Sequence, residues 1–429
     1  MPPSSSERTN LRWLLAGSTG SAIGDGIRST ALPLLAATTL ASPFQVAAIS
    51  AASSLPWLVL GLPAGAYADR WDRRRIMIAA DLIRGAALVV TGCLVALDQI
   101  SVWVLAALAF FLGSARVLFD CAATALLPCL VPSERLVTVN GHLTSGQLIG
   151  RDLIGQAIGG ILYTTARAAP LLTDAATFLL SAAAIHRLPT IRSAIPQLGL
   201  AASIRDGLRH LRTDRTIRQL TTASAILNLA YTGQAAILVT FAHTTLHMSP
   251  SEYGFALAVG GAGGIAVGLP IGRGAEHRNR TTLLTSVALL GLAQLSIAAA
   301  PGPILLAVAC LLCSAATALW NIASTALRQT VIPIELLGRT TGITRLLSWG
   351  IAPAGALTAG AFASTWGPRT TLVVIGAISL ATFTMLAARL PTFPNATQTP
   401  KSEPALPARD ASTKQPASPC PSRTRSRTL

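Results

Sequence analysis

Gly65-Ala66-Tyr67-Ala68-Asp69-Arg70-Trp71-Asp72-Arg73-Arg74-Arg75 is a short basic loop set between two long apolar runs, and its frame returns once farther along the chain. Gly61-Leu62-Pro63, Gly65, Ala68, Asp69 and Arg73 reappear, shifted by 207, as Gly268-Leu269-Pro270, Gly272, Ala275, Glu276 and Arg280. Pro132, Glu134, Leu136 and Gly141 recur as Pro333, Glu335, Leu337 and Gly342, and Arg187-Leu188-Pro189 recurs as Arg389-Leu390-Pro391. An even number of apolar runs, six, separates the members of each pair, so equivalent segments point the same way and the repeats are parallel.

The runs themselves exclude a soluble enzyme. Of the 429 residues 51% are hydrophobic and 12% charged, with a mean hydropathy of +0.56, too little polar surface to coat a globule. Apolar stretches fall at about 13–38, 44–67, 76–97, 102–127, 137–163, 168–188, 219–242, 251–272, 282–300, 303–327, 340–364 and 370–390. Each is long enough for a helix to cross about 30 Å of hydrocarbon at 1.5 Å per residue.

The net charge of +16 reports topology. With the N-terminus inside, 26 of the 33 Lys and Arg fall in cytoplasmic segments, two (Arg167 and Arg369) in external loops, and five within spans. Both termini are therefore expected in the cytoplasm, and a nucleic-acid role is not. No cleavable leader is expected, because the first run is long and carries Asp25 and Arg28 in its middle. Residues 190–218 read as a polar, Arg-rich connector, and 392–429 as a basic tail too poor in aliphatic residues to bury a core. The division expected is thus 1–189 and 219–391 as two six-helix bundles, with the connector between them and the tail behind.

The quoted loop resembles the signature of the major facilitator superfamily, Gly, three residues, then Asp-Arg and a basic cluster. Tyr67 and Asp72 depart from its commonest form, and Asp-Arg-x-Asp-Arg-Arg-Arg resembles the enterobactin-exporter and macrolide-efflux branch. Gly24-Asp25, Asp81-Leu82-Ile83-Arg84, Ala125-Leu126-Leu127-Pro128 and Asp174-Ala175-Ala176-Thr177-Phe178 agree, so the resemblance covers residues 8–391. It implies an all-α, twelve-helix, two-bundle carrier working by alternating access, most often a proton-coupled exporter, in a bacterial plasma membrane. It also implies a gate built on Gly65, Asp69, Arg70, Arg73, Arg74, Asp81 and Arg84. The carrier motif Gly-Pro-x-x-Gly-Gly is altered here to Gly155-Gln156-Ala157-Ile158-Gly159-Gly160, which removes a proline kink.

An ionisable group in the bilayer needs a partner or a task. The embedded acids Asp25, Asp81, Asp120, Asp152 and Asp174 all lie in the first half. Asp25, one turn from Arg28, is the proton-site candidate, the alternative being a fixed ion pair. Asp120 reads equally as gate, proton site or cargo contact, and Asp174 as structural. Arg151 and Asp152 point about 100° apart on a helix, so they need not pair. Polar stripes on spans one, four, seven and ten suggest a cavity lined by Arg116, Arg151, Asn228, Tyr231, Thr317, Trp320 and Asn321, with Trp320 either stacking on cargo or packing.

The glycines of Gly260-Gly261-Ala262-Gly263-Gly264 lie in a span and read as close helix packing. Because the only lysines are Lys401 and Lys414, no phosphate-binding loop with lysine exists, and no ATP is expected. No metal or cofactor is expected either. The expected partners are a small-molecule substrate, protons and membrane lipid, with the chain acting as a monomer. The function expected is secondary export of an amphipathic or lipophilic compound such as an antibiotic, siderophore-like compound or secondary metabolite, which would confer drug resistance. An uptake porter of the same fold is the alternative, and a non-transporting sensor the third reading.

Overall fold

A computed structural model describes residues 5–39, 42–70, 72–130, 136–188, 208–209, 211–271, 280–332 and 334–390. These residues hold helices and no strand. The first half gives α1 (Ser5–Thr39), α2 (Pro43–Arg70), α3 (Arg73–Ala96), α4 (Val102–Leu130), α5 (136–165) and α6 (Ala169–His186). The second gives α7 (215–245), α8 (Pro250–Ile271), α9 (Arg280–Ala299), α10 (Pro303–Val331), α11 (334–366) and α12 (Pro368–Arg389). Among the described residues, nine helices are long and apolar enough to cross a membrane.

Local chemistry sets the ends. Asp72 caps α3 by accepting from the Arg74 N–H at 3.0 Å. Asp214 caps α7 by accepting from Ile217 N–H at 2.9 Å, which starts that helix at Arg215, ahead of the apolar run. Between α11 and α12 the chain turns at Gly367, whose φ of 82° suits glycine, and Pro368 opens the next helix. Within α11 the helix breaks at Ile351, because Pro353 has no N–H to continue the ladder.

The repeat read from the sequence is a repeat of packing. α1 packs on α5 and α6, α2 on α4, and α3 on α4 and α6; α7 packs on α11 and α12, α8 on α10, and α9 on α10 and α12. One clamp is duplicated as well. Arg74, at the start of α3, donates to the His186 carbonyl at the end of α6, and Arg280, at the start of α9, donates to the carbonyls of Ala387 and Leu390 at the end of α12.

The halves meet through α2 against α11 and α5 against α8, equivalent pairs under the repeat. Described contacts between them gather toward the end where α5 finishes and α8 begins. There a side chain on Gly160 would strike the Pro250 carbonyl and Gly254, and one on Gly254 would strike the Gln156 carbonyl and Gly160, so the two backbones touch. Gly360 of α11 likewise accommodates Ala47 of α2, and Ala47, Ala51, Ala236 and Ala356 form a buried alanine cluster. The Gly260–Gly264 run packs closely too: Gly260 and Gly263 abut α10, and Gly261 abuts the Asp152 carbonyl of α5.

Candidate functional site

Three consecutive residues of α1 face three different neighbours, about 100° apart as a helix requires. Gly24 leaves the space that the Asp174 and Thr177 side chains of α6 occupy. Gly26 lies against the Arg151 backbone of α5. Asp25, between them, is buried and turned toward α3 and α4. The small residues are thus what allow a carboxylate in the middle of α1 to be enclosed by four helices.

Asp25 anchors a network of ion pairs. Arg116 of α4 binds its Oδ2 at 2.9 Å, Arg28 binds its Oδ1, and Arg84 of α3 stands 4.0 Å away. Arg28 extends to Asp174 of α6 at 3.1 Å, and Arg116 extends to Asp120 at 3.5 Å. Arg84 is also paired with Asp81, and its guanidinium lies between the rings of Phe119 (4.9 Å) and Phe178 (4.2 Å). Asp81, Arg84 and Asp174 are fully buried. Asp81 Oδ2 forms no hydrogen bond of good geometry, although the Ser181 hydroxyl neighbours it. Four carboxylates meet three guanidiniums, so with every group ionised the cluster carries one surplus negative charge.

The network has an open side. The Asp120 side chain is 37% exposed and that of Arg116 29% exposed. On the other half, Tyr231 of α7 is 40% exposed and within electrostatic reach of Arg151 and Asp152. Arg151 in turn senses both Asp25 and Tyr231. Charged groups thus gather on the first half and neutral polar ones on the second, the two sets read from the sequence as facing walls. Asn321 is exposed on α10; Thr317 is half-buried, its hydroxyl donating to the Cys313 carbonyl at 2.8 Å; Asn228 is half-buried on α7.

Several expectations change. Trp320 is 4% exposed and packs in the second half's core, because it leaves α10 about 100° round from the exposed Asn321. Arg151 and Asp152 do pair, at 2.7 and 3.0 Å, since Ile149–Gly155 is a π-helical turn and a long arginine bends across the angle. That turn also means that losing the proline does not leave α5 regular. Gln156, standing in the proline's place, donates to the carbonyls of Leu257 on α8 (2.8 Å) and Asp152 (2.9 Å) when its amide nitrogen is placed toward them.

Of the residues expected at the gate, Arg84 reaches Asp25 at 4.0 Å and Asp81 joins the network through its own pair with Arg84. Asp174, expected to be structural, is a member of the network through Arg28. Of the loop residues, Arg73 is buried and Arg74 forms the clamp on α6. The side chains of Gly65, Asp69 and Arg70 lie outside the described residues, as does Glu276. Among the described residues no group of His, Cys, Asp and Glu is arranged to hold a metal.

The sequence matches the major facilitator family described as transmembrane secretion effector over residues 4–418. The multidrug efflux pump Tap of Mycobacterium tuberculosis (strain ATCC 25618 / H37Rv) is 29% identical over 389 residues, 86% of this chain and 90% of that protein. Macrolide efflux protein A of Streptococcus pyogenes is 26% identical over 326 residues, 73% of this chain and 79% of that protein. The uncharacterized MFS-type transporter YfiS of Bacillus subtilis (strain 168) is 30% identical over 351 residues, 77% of this chain and 81% of that protein. Among solved structures, the nucleoside transporter NupG is similar with a TM-score of 0.74 at 12% identity, over 89% of this chain and 98% of that chain. A bacterial homologue of the human lysosomal transporter Spinster, inward-facing and unoccupied, gives 0.70 at 14% identity, over 90% and 98%. At those identities the two structures speak for the fold.

Proposed function

Given that this chain belongs to the transmembrane secretion effector family of the major facilitator superfamily, we propose that it exports an amphipathic or lipophilic small molecule from a bacterial cell in exchange for protons. The observation that carries the reading is the cluster of Asp25, Asp81, Asp120 and Asp174 against Arg28, Arg84 and Arg116, enclosed except at Asp120 and Arg116, which are partly exposed. A surplus negative charge in such surroundings is costly, and one proton cancels it. Asp25 is the site at which that proton has mechanical effect, taken up as a guanidinium that holds the carboxylate ionised moves away. While ionised, it ties α1 to α4 through Arg116 and to α3 through Arg84; protonated, it releases part of that hold and lets α4 move against α1.

The sense of transport rests on relatives, two of which are named as efflux proteins for multiple drugs and for macrolides. A cavity with a charged wall and a neutral, partly aromatic wall suits a cargo with both polar and apolar faces. The excess of basic residues in the segments read as cytoplasmic argues for both termini inside, and on that reading the α5–α8 contact is the external end. On that orientation the cavity is closed outside, the state in which an exporter collects its cargo. The two bundles, residues 1–189 and 219–391, then rock about the site.

In cells lacking their own drug pumps, expression should lower the steady-state accumulation of a macrolide or of ethidium, and a protonophore should restore it. Higher accumulation on expression would instead make the chain an uptake porter.

A further inference from the structure

A second polar cavity lies far from the charge network in the fold, between the first turns of α7 and the last turns of α12, with a volume of about 400 Å³. Its walls carry three guanidiniums, Arg215, Arg218 and Arg389, the amide of Gln219 and the hydroxyl of Thr222, with Met385 and Leu386 as an apolar side; among the described residues no acid lines it. Nearby Asp214 is engaged in capping α7, and Arg218 gives one N–H to the Arg212 carbonyl, which fixes its stem at the rim. Gln219 Oε1 is buried there without a hydrogen-bond partner, an unmet acceptor beside three cations.

We propose that this cleft binds the phosphodiester headgroup of an anionic membrane lipid. Guanidiniums form paired N–H bonds to phosphate oxygens, and three around one cleft without a carboxylate are matched to an anion. A lipid fits better than free phosphate on two grounds. Met385 offers an apolar surface to the glycerol and upper acyl carbons, and α12, packed on α7, α9 and α11, is a peripheral helix whose flank meets the bilayer. The site is at the end of the bundle where basic residues concentrate, where anionic lipid attracts arginine. The assignment depends on neither the cargo nor the coupling ion.

Purified full-length protein, stripped of lipid in detergent, is titrated with phosphatidylglycerol, phosphatidylcholine or inorganic phosphate, following thermal unfolding and lipid adducts by native mass spectrometry. Phosphatidylglycerol should raise Tm saturably and remain bound, while phosphatidylcholine and inorganic phosphate do neither at the same concentration. Arg215→Gln with Arg389→Gln should raise the half-saturating concentration roughly 25-fold, about fivefold per arginine. Arg12→Gln, a charge loss outside the cleft, should leave it unchanged. Equal binding of phosphatidylcholine by the unaltered protein, an equal response to inorganic phosphate, or an unchanged titration in the double variant each overturns the lipid site. The first two are read on the unaltered protein, so they stand even if the double variant does not fold.

Discussion

Alanine at Gly254 should tip the transporter away from the conformation described here. The added methyl would lie 2.8 Å from the Gln156 carbonyl oxygen, 2.9 Å from Gly160 Cα and 3.1 Å from Gly160 N. All three are backbone atoms of α5, so no side-chain rotation relieves the clash. Carbon contacts settle at about 3.5–4.0 Å, so α5 and α8 must part by on the order of half an ångström or more. Overpacking of this kind costs about 1–3 kcal/mol. The cost applies to the state in which this end is closed and vanishes once the halves separate there, so the closed-to-open ratio falls by about 5- to 150-fold. Spin labels at Thr165→Cys and Thr244→Cys, on the two halves at this end, report the shift by pulsed electron resonance in a background without other cysteines. The longer-distance population should grow at least fivefold. An unchanged distance distribution in both Gly254→Ala and Gly254→Val would refute the claim that backbone contact of α5 and α8 holds this end shut.

Other outcomes follow from the same geometry. Arg84→Met leaves the buried Asp81 carboxylate without its partner and should lower stability by about 3–5 kcal/mol, whereas adding Asp81→Leu should recover most of the loss in thermal unfolding. Gln156→Leu removes the bond to the Leu257 carbonyl and should shift the spin-label distances as Gly254→Ala does, by about 1 kcal/mol. Trp320→Ala should cost about 3–5 kcal/mol of stability because the indole is core. Tyr231→Phe and Asn321→Ala should leave Tm within about 1 °C, given exposed positions, yet change the apparent KM for cargo.

The architecture was legible in the sequence because it repeats. The shift that maps Arg73 onto Arg280 maps one set of helix contacts onto the other, and the arginine clamp recurs one residue out of that register. The importance of Asp25 was legible as well, since a charge in mid-span needs a partner. Which partners it has was not. A helical wheel gives the direction in which Arg28 leaves α1, but not that the residue waiting there is Asp174, 146 positions away, admitted by a glycine at 24. Direction without depth also left Trp320 open between stacking and packing; one step from Asn321, it is turned into the core. The π-helical turn of α5 left no mark in the residue pattern that a regular 3.6-residue period could register, so the Arg151–Asp152 pair was missed.

The central claim, that a proton held at Asp25 drives export, is tested most directly in proteoliposomes of purified protein with an acidic lumen and a fluorescent cargo such as ethidium outside. The account predicts that the unaltered protein concentrates the dye inside while the lumen turns alkaline, that a protonophore abolishes both, and that Asp25→Asn loses gradient-driven accumulation but still exchanges labelled for unlabelled dye at equilibrium. Undiminished gradient-driven accumulation by Asp25→Asn, or accumulation driven by an alkaline lumen instead, would contradict it.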